Sequence, residues 1–324
     1  PIDVFGRTRA ARATGDAAVT RAEAELRRTQ AEVQAEVLLR YADALTADAL
    51  VTVATSQNEV NSRLLEATRR RSEEGYIPGV QVQRARIEAD RSARTLARRE
   101  AEARSARIRL AAATGATGEI RAIGPFPDLA SAVATDGTVD ALPELLVRSA
   151  DLRGATADVR VARLLGRPEL QLEARRQPWY EGDSRAYARI QFSLPIFDGG
   201  RARNERAAAD ERRQSAERAL EDARLQARAA LEAARVEYAE SVRAVASFES
   251  TLAAARTLAD RAERGLREGA VTFTDALEAT RALREVEEDL AQSRQRLAVA
   301  TADLLRAGGV ILAPLSTETK EAGR

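Results

Sequence analysis

The sequence contains no cysteine, no histidine and no methionine, and only 4% of its 324 residues are aromatic. Without cysteine the chain can form no disulfide and can use no thiol nucleophile. Without histidine it lacks the usual general base and the commonest metal ligand. We therefore expect no catalytic site, no metal and no other cofactor.

An excess of charge of either sign is also missing. The 51 basic and 50 acidic residues give a net charge of +1, and no basic block stands out. This balance argues against nucleic acid as a partner. Heavy use of Ala, Glu, Arg and Leu instead predicts long helices and not a thick globular core.

Glycine and proline are absent from residues 201–264, which predicts one uninterrupted helix of 64 residues. At about 1.5 Å per residue it would be roughly 96 Å long. Apolar residues recur every seven positions, with Val242 and Phe248 between them, at Leu231, Tyr238, Val245 and Leu252. This period is typical of a helix packed lengthwise against other helices. Charges in every turn place it in water, because a membrane helix needs a continuous apolar run.

The long helix occurs twice. Residues 1–9 align with residues 195–203 at an offset of 194, and the same offset places four later landmarks on their counterparts without a gap. These pairs are Glu74-Gly75 with Glu268-Gly269, Ala85 with Ala279, Leu110 with Leu304, and Gly115 with Gly309. Self-similarity of this kind predicts two structural repeats.

Gly and Pro positions divide the chain further. We expect helices at about 8–74, 80–114 and 140–165, and we expect a helix and a strand hairpin to be missing upstream of Pro1. The chain is predicted to have four parts: a first repeat at 1–115, truncated at its N-terminus, a loop-rich linker at 116–139, a second repeat at 140–309 and an irregular tail at 310–324. The second repeat would contain a hairpin at 168–196, a long helix at 201–267 and a return helix at 274–307.

The hydrophobic period changes from about 3.6 to 2 after Pro168. Two segments of alternating apolar and polar residues surround a turn that contains Trp179 and Tyr180. Their length of about 9 to 11 residues suits strands of a transmembrane barrel, with these aromatics at the interface. The alternative is an ordinary half-buried hairpin on a soluble core. The flanking helices favour the membrane hairpin, because nothing nearby supplies a compact core.

This pattern closely resembles the TolC-type outer-membrane factors, the exit ducts of tripartite efflux and type I secretion systems. The similarity rests on residues 194–201 entering a long helix, on Gly269 and residues 275–281 opening the return helix, and on residues 304–309 closing it. Tyr76 to Ala85 and the short strands are most similar to the outer-membrane components of heavy-metal efflux pumps.

The resemblance implies a mainly α fold: a long antiparallel α-helical coiled-coil barrel protomer with a short transmembrane β-hairpin, built from two internal repeats. It implies a homotrimer that combines an α-barrel with a β-barrel. Most of each chain would lie in the periplasm, and the hairpin would contact outer-membrane lipid. The implied function is passive export, with a periplasmic adaptor protein and an inner-membrane pump of the RND type as partners.

Asp275 and Glu278 lie three residues apart at the start of the return helix, on one face. By resemblance they match the acids that ring the periplasmic entrance and set gating and cation preference. Helix capping is the alternative, with Thr272 as the cap and Asp275 at the third position. Both roles are compatible. The first repeat has Gln81 and Arg84 at these positions, so an acidic ring would come from the second repeat only.

Two further groups of residues are candidates by resemblance. The turns at Gly75, Tyr76 and Ile77 and at Gly269 and Val271 would meet the adaptor. The two glycines could equally serve only to turn the backbone. Pro1 and Gly6, like Pro195 and Gly200, mark the change from strand to helix, which we interpret as structural.

The leading hypothesis is therefore an outer-membrane export channel. The alternative is a soluble coiled-coil structural protein or a periplasmic adaptor with a helical hairpin. A plain coiled coil has no use for the alternating hairpin or for the duplication. An adaptor should carry small β-rich domains beside a single helical hairpin, and the sequence offers none.

Overall fold

The structure is a computed structural model that describes residues 6–126, 139–180, 183–193 and 198–310. Its long elements follow the order predicted from the sequence. They are α1 (Arg7–Glu73), α2 (Gly79–Thr114), α3 (Pro143–Leu164), β1 (Glu169–Tyr180), β2 (Asp183–Ser193), α4 (Arg201–Glu268) and α5 (Phe273–Ala307). The fold is mainly α, as predicted, and the helices begin and end within three residues of the predicted bounds.

The offset of 194 reappears in the helix starts. Helix α4 starts 194 residues after α1, and α5 starts 194 residues after α2. The aligned landmarks have matching environments: Ala85 and Ala279 are 2% and 6% exposed, and Leu110 and Leu304 are 3% and 4% exposed. Gly15 does not interrupt α1, which is one helix of 67 residues.

The chain forms two compact units that do not coincide with the repeats. Unit 1 holds residues 1–30 and 136–229, and unit 2 holds residues 31–135 and 230–324. The long helices α1 and α4 each contribute residues to both units. The division into repeats at 1–115 and 140–309 therefore stays a prediction about the sequence.

In unit 1, helix α3 packs antiparallel on both long helices. At its N-terminal end Leu142 and Leu145 pack on Leu220 of α4, and in its C-terminal half Val159 and Ala162 pack on Ala209 of α4. On its other side Asp151 pairs with Arg21 of α1 at 3.2 Å, and Glu144 pairs with Arg28 at 3.0 Å.

Strands β1 and β2 form an antiparallel hairpin, also in unit 1. Apolar residues pair across it, Leu170 with Phe192 and Leu172 with Ile190, while Glu173 pairs with Arg189 at 2.9 Å on the other face. Ile190 is 73% exposed and Phe192 is 64% exposed. An open apolar face argues against the half-buried alternative within this protomer. That this face contacts lipid stays a prediction, and the side chains of Trp179 and Tyr180 lie outside the described part.

Unit 2 is built from α2, α5 and the adjoining parts of α1 and α4. The seven-residue seam of α4 is present: Leu231 is buried, and Tyr238, Val245 and Leu252 are half-buried. Val242, which lies between Tyr238 and Val245, is 40% exposed, while its neighbour Ser241 is 7% exposed. The second line of the seam passes through Ser241, and consecutive residues lie about 100° apart around a helix.

Two apolar clusters and a polar layer between them fill unit 2. The tip cluster contains Leu64, Ala85, Ala262, Leu266, Phe273, Ala276, Leu277 and Ala279. The linker cluster contains Ala44, Ala106, Leu110 and Ala122. Between them along α1 and α2 lie Asn61 and Ser92, 5% and 7% exposed. Gln57 Nε2 donates to Asn61 Oδ1 at 3.1 Å, and the Ser92 hydroxyl donates to Asn58 Oδ1 at 3.0 Å.

Candidate functional site

The first turn of α5 is amphipathic, and its apolar side anchors it. Phe273, Ala276 and Leu277 are at most 9% exposed and belong to the tip cluster. Asp275 lies between Phe273 and Ala276 in sequence, Glu278 follows Leu277, and both acids are exposed. A helix period of 3.6 residues separates the two sets around the axis, so the carboxylates face solvent while the backbone that carries them is fixed.

Thr272 caps this helix, as the capping interpretation predicts. Its Oγ1 accepts a hydrogen bond from the Asp275 backbone N–H at 3.2 Å and donates one to Asp275 Oδ2 at 2.7 Å. An acid in the first turn is also favoured by the helix dipole. Asp275 is thus held in one orientation, which fulfils the capping role without testing the gating role.

Glu278 is held by nothing comparable. Among the described residues it makes no hydrogen bond or ion pair. In the first repeat Pro78 precedes α2 and gives no side-chain cap, and Gln81 and Arg84 stand at the positions of the two acids. The structure therefore puts a pair of exposed acids at the start of α5 only.

The two turns that lead into α2 and α5 have the same backbone closure. We call residues 74–78 and 269–272 the tip turns. Gly75 has φ 82° and Gly269 has φ 79°, in the left-handed region that favours glycine. In each turn the next residue returns a hydrogen bond to the helix, Tyr76 N to Arg71 O at 2.9 Å and Ala270 N to Gly265 O at 2.8 Å. This is the Schellman closure of a helix end, and it explains both glycines by backbone turning.

The other predicted contact residues of the tip turns differ in exposure. Tyr76 is 72% exposed, whereas Ile77 and Val271 are half-buried. Ile77 lines a cleft of about 160 Å³ together with Arg71, Leu266, Thr272 and Phe273. The cleft thus brings the two tip turns and the α5 cap to one place in unit 2.

Sequence reasoning missed two residues that hold this end of the unit together. Arg71 Nη1 donates to Leu266 O at 3.1 Å, so an arginine of the first repeat satisfies a last-turn carbonyl of α4. Gly265, its counterpart at the offset of 194, leaves room for Val271: a Cβ there would lie 2.5 Å from Val271 Cγ2. A glycine inside an otherwise unbroken helix was the available signal for Gly265.

Ion pairs connect the helices of unit 2 further along. Arg281 of α5 pairs with Glu88 of α2, and Arg63 of α1 pairs with Glu263 of α4 at 3.4 Å. The Nε atom of Arg284 is buried and has no hydrogen-bond partner in the described part of the chain. These pairs join the two repeats, and no local sequence pattern predicts them.

The predicted strand-to-helix transition is described only in part. Gly6 and Gly200 have φ 81° and 84° immediately before α1 and α4. Pro1 and Pro195 lie outside the described residues. Asp198, which the sequence did not single out, accepts hydrogen bonds from the backbone N–H groups of Gly200 and Ala202, each at 3.0 Å. The Ala202 and Gly200 amides hold the pKa of the Asp198 carboxyl below its usual range.

Within the described ranges, no group of three or more acidic side chains is placed to hold a metal ion. None of the helices in that part of the chain combines the length and the apolar character needed to cross a membrane.

The family model described as outer membrane efflux protein matches residues 1–116 and 140–310. No curated protein sequence is significantly similar to this chain.

Solved channel structures share the fold. CusC is 18% identical with a TM-score of 0.82, covering 95% of this chain and 75% of its own. VceC from Vibrio cholerae is 18% identical with a TM-score of 0.79, covering 95% and 77%. The outer-membrane channel OprN is 23% identical with a TM-score of 0.77, covering 95% and 73%.

Proposed function

Because this chain belongs to the outer membrane efflux protein family, we propose that the first turn of α5 forms the gate and selectivity site of its channel. The protein is the outer-membrane channel component of an efflux or secretion system, with most of its chain in the periplasm. It acts as a homotrimer with a periplasmic adaptor and an inner-membrane pump. The family match speaks against the soluble coiled-coil and adaptor alternatives.

One observation carries the gate proposal: two exposed carboxylates lie on one face of a turn that the buried Phe273 and Leu277 anchor. Three chains would contribute six carboxylates to a constriction, and acidic rings favour cations. The hydrogen bond from the Thr272 hydroxyl fixes the Asp275 carboxylate, while Glu278 remains free to move. The ring would thus combine a fixed layer of charge with a mobile one.

The tip turns are the proposed adaptor contact. Tyr76 presents a large ring to solvent at 72% exposure, which suits an aromatic anchor at an interface. Ile77 and Val271 would add apolar area beside it. Gly75 and Gly269 would act through backbone shape only.

Three finer assignments rest on the resemblance. We propose that the chain has no catalytic role, that its pump is of the RND type, and that it belongs to the heavy-metal efflux subgroup. The absence of Cys, His and Met means that passing metal ions would meet carboxylates and water and no soft ligands.

The test measures ion selectivity of the trimer reconstituted in planar bilayers. Reversal potentials in a salt gradient should show cation preference, and Asp275→Asn with Glu278→Gln should shift them toward those of a non-selective pore. Asn keeps an acceptor for Thr272, so this double variant removes charge while keeping the cap. Glu285→Gln with Asp289→Asn is the matched control, because it removes the same charge from the same helix.

Unchanged selectivity in the first double variant, or an equal loss in the control, would reject the gate assignment. Absence of conductance from an unmodified trimer whose chains carry both predicted strand hairpins would reject the channel itself.

A further inference from the structure

A small polar cleft lies in unit 2, where residues of α1, α2 and α5 meet. We call it the arginine cleft, because its charged lining consists of three arginines and two glutamates: Glu88, Arg91, Arg281, Arg284 and Glu288. Its volume is about 40 Å³. A cleft of this size has room for a few water molecules or one small ion, and it is too small for a drug-sized ligand.

The charges that line the arginine cleft do not balance. Arg281 of α5 pairs with Glu88 of α2, so these two charges neutralise each other. Arg91 and Arg284 then stand against one remaining acid of the lining, Glu288. Because arginine stays protonated at all physiological pH values, the cleft keeps an excess of positive charge.

Arg284 is the cation whose charge is least satisfied. The residue is half-buried, and its Nε atom is buried without a hydrogen-bond partner in the described part of the chain. Its guanidinium makes no ion pair there either. Glu288 lies four positions later, and an acid on the C-terminal side of its base is the less favourable order for a pair on one helix. A buried charged donor without an acceptor is costly, so the cleft favours a bound acceptor.

Helix α1 supplies a second donor without an acceptor. Asn61 is 5% exposed, and its Oδ1 accepts a hydrogen bond from Gln57 Nε2 at 3.1 Å. The Nδ2 group of Asn61 makes no hydrogen bond among the described residues. Asn61 and Arg284 line the same small cleft, and each has an N–H group to donate. The group that fits between them is therefore an acceptor.

This combination of donors occurs at one place in the duplicated sequence. At the offset of 194, Ala255 of α4 stands where α1 has Asn61, and Asp90 of α2 stands where α5 has Arg284. Neither replacement keeps the donor, and aspartate reverses the charge. The repeat thus generates no second arginine cleft, and one ligand per chain is the expected stoichiometry.

We infer that the arginine cleft binds one small inorganic anion of about the size of chloride. Arg284 Nε and Asn61 Nδ2 donate hydrogen bonds to it, and the exposed Arg91 adds positive charge at the mouth of the cleft. Water can accept the same hydrogen bonds, but it does not neutralise the excess charge, so an anion is favoured over water. The bound ion stabilises the packing of α5 on α1 and α2 within unit 2.

Thermal unfolding of the full chain, followed by circular dichroism, tests whether an anion of this size stabilises the fold. Sodium chloride replaces sodium gluconate stepwise at constant ionic strength, which holds charge screening fixed. Gluconate carries the same charge as chloride but is too large for the cleft. Tm should rise by about 2–4 °C when chloride reaches about five to ten times its dissociation constant.

Bromide, which scatters X-rays anomalously, locates the ion in crystals of the full chain. One anomalous peak per chain should lie within hydrogen-bond distance of Arg284 Nε and Asn61 Nδ2. Absence of a peak at the cleft would overturn the inference. A carboxylate of a neighbouring chain bound to Arg284 would also overturn it, because the missing acceptor would then be a protein side chain.

Three single variants assign the effect of chloride to the cleft. Arg284→Met removes the charge and keeps an unbranched side chain. In gluconate it should be at least as stable as the unmodified chain, because the desolvation cost of an unpaired charge is gone. Its rise with chloride should be lost, and Arg91→Met should reduce the rise by about half. Arg296→Met is the matched control and should keep the full rise, since Arg296 is an exposed arginine of α5 outside the cleft.

Equal rises in Arg284→Met and in the unmodified chain would overturn the inference, as would loss of the rise in Arg296→Met. A bromide peak at the cleft without stabilisation by chloride would identify an adventitious ion only, and it would count against the inference in the same way. If Arg284→Met does not fold, the bromide peak and the reduced rise in Arg91→Met decide.

Discussion

The two repeats start their helices and turn their backbone at matching positions, but the return helices differ in their side chains. Helices begin at matching positions, and both tip turns close with a left-handed glycine and the same hydrogen-bond pattern. Yet α5 begins with a threonine cap, a buried phenylalanine and two acids, whereas α2 begins with Pro78 and Gly79 and has Gln81 and Arg84. The glycines that turn the backbone are thus present in both repeats. The buried phenylalanine and the two acids are present only in the second repeat.

The first test of this difference replaces Phe273, the buried residue that anchors the first turn of α5. Phe273→Ala should lower the free energy of unfolding by about 3–5 kcal/mol, because a buried aromatic leaves a cavity in the tip cluster. Its first-repeat counterpart, Gly79→Ala, should change the free energy by no more than about 0.5 kcal/mol, since nothing lies within 4 Å. Urea unfolding followed by circular dichroism measures both. Similar effects in the two variants would show that the tips are equivalent after all.

The next test makes one substitution at two glycines. Gly265→Ala should destabilise by about 1–3 kcal/mol, because its Cβ meets Val271 and the turn must shift. Gly15→Ala, also inside a long helix but with open space around it, should stabilise by about 1 kcal/mol. Thermal and urea unfolding of the two variants provide the comparison, and effects of the same sign would contradict it.

The cap of α5 has a smaller effect. Thr272→Ala should cost about 1 kcal/mol, because the Asp275 amide and carboxylate both lose a partner. Thr272→Ser keeps the hydroxyl and should restore most of that stability. Hydrogen exchange at the Asp275 amide reports the same event locally, and unchanged protection in the alanine variant would show that the cap is not formed.

The smallest effect concerns pH at the entry to α4. The pKa of Asp198 is lowered in the folded chain, so its contribution to stability is present above the unfolded pKa and is lost as pH falls below about 4. Asp198→Asn should flatten this acid limb, and it should lower stability at neutral pH by the amount that the carboxylate contributes there. Unfolding midpoints measured between about pH 2.5 and 5 test this. The first repeat has Val4 at this position and should add no such dependence.

Local signals predicted the helices and their ends well, because glycine and proline act within a few residues of the backbone they change. Gly75, Gly115 and Gly269 each marked a helix end from sequence alone, and all have positive φ. Asp275 and Glu278 are exposed, their gating role stays a prediction, and the Thr272 cap followed from its spacing to Asp275.

Partners across helices could not be predicted. Arg71 reaches Leu266, 195 positions away, and Arg281 pairs with Glu88 across 193. Such contacts depend on which faces of two helices meet. A seven-residue pattern identifies the apolar face of each helix, but it does not identify the helix against which that face packs.

The polar layer of unit 2 limits how its helices can slide. Buried alanines line α2 on both sides of Ser92, at Ala85, Ala103 and Ala106, and a surface of alanines alone would tolerate several alignments. The Ser92 hydroxyl of α2 donates to Asn58 Oδ1 of α1, and a slip of one heptad would set it against Val51 or Leu65 instead. Loss of such a hydrogen bond costs about 0.5–1.5 kcal/mol. The bond between Ser92 and Asn58 thus favours one lengthwise alignment of α1 and α2 within unit 2 over alignments shifted by a heptad.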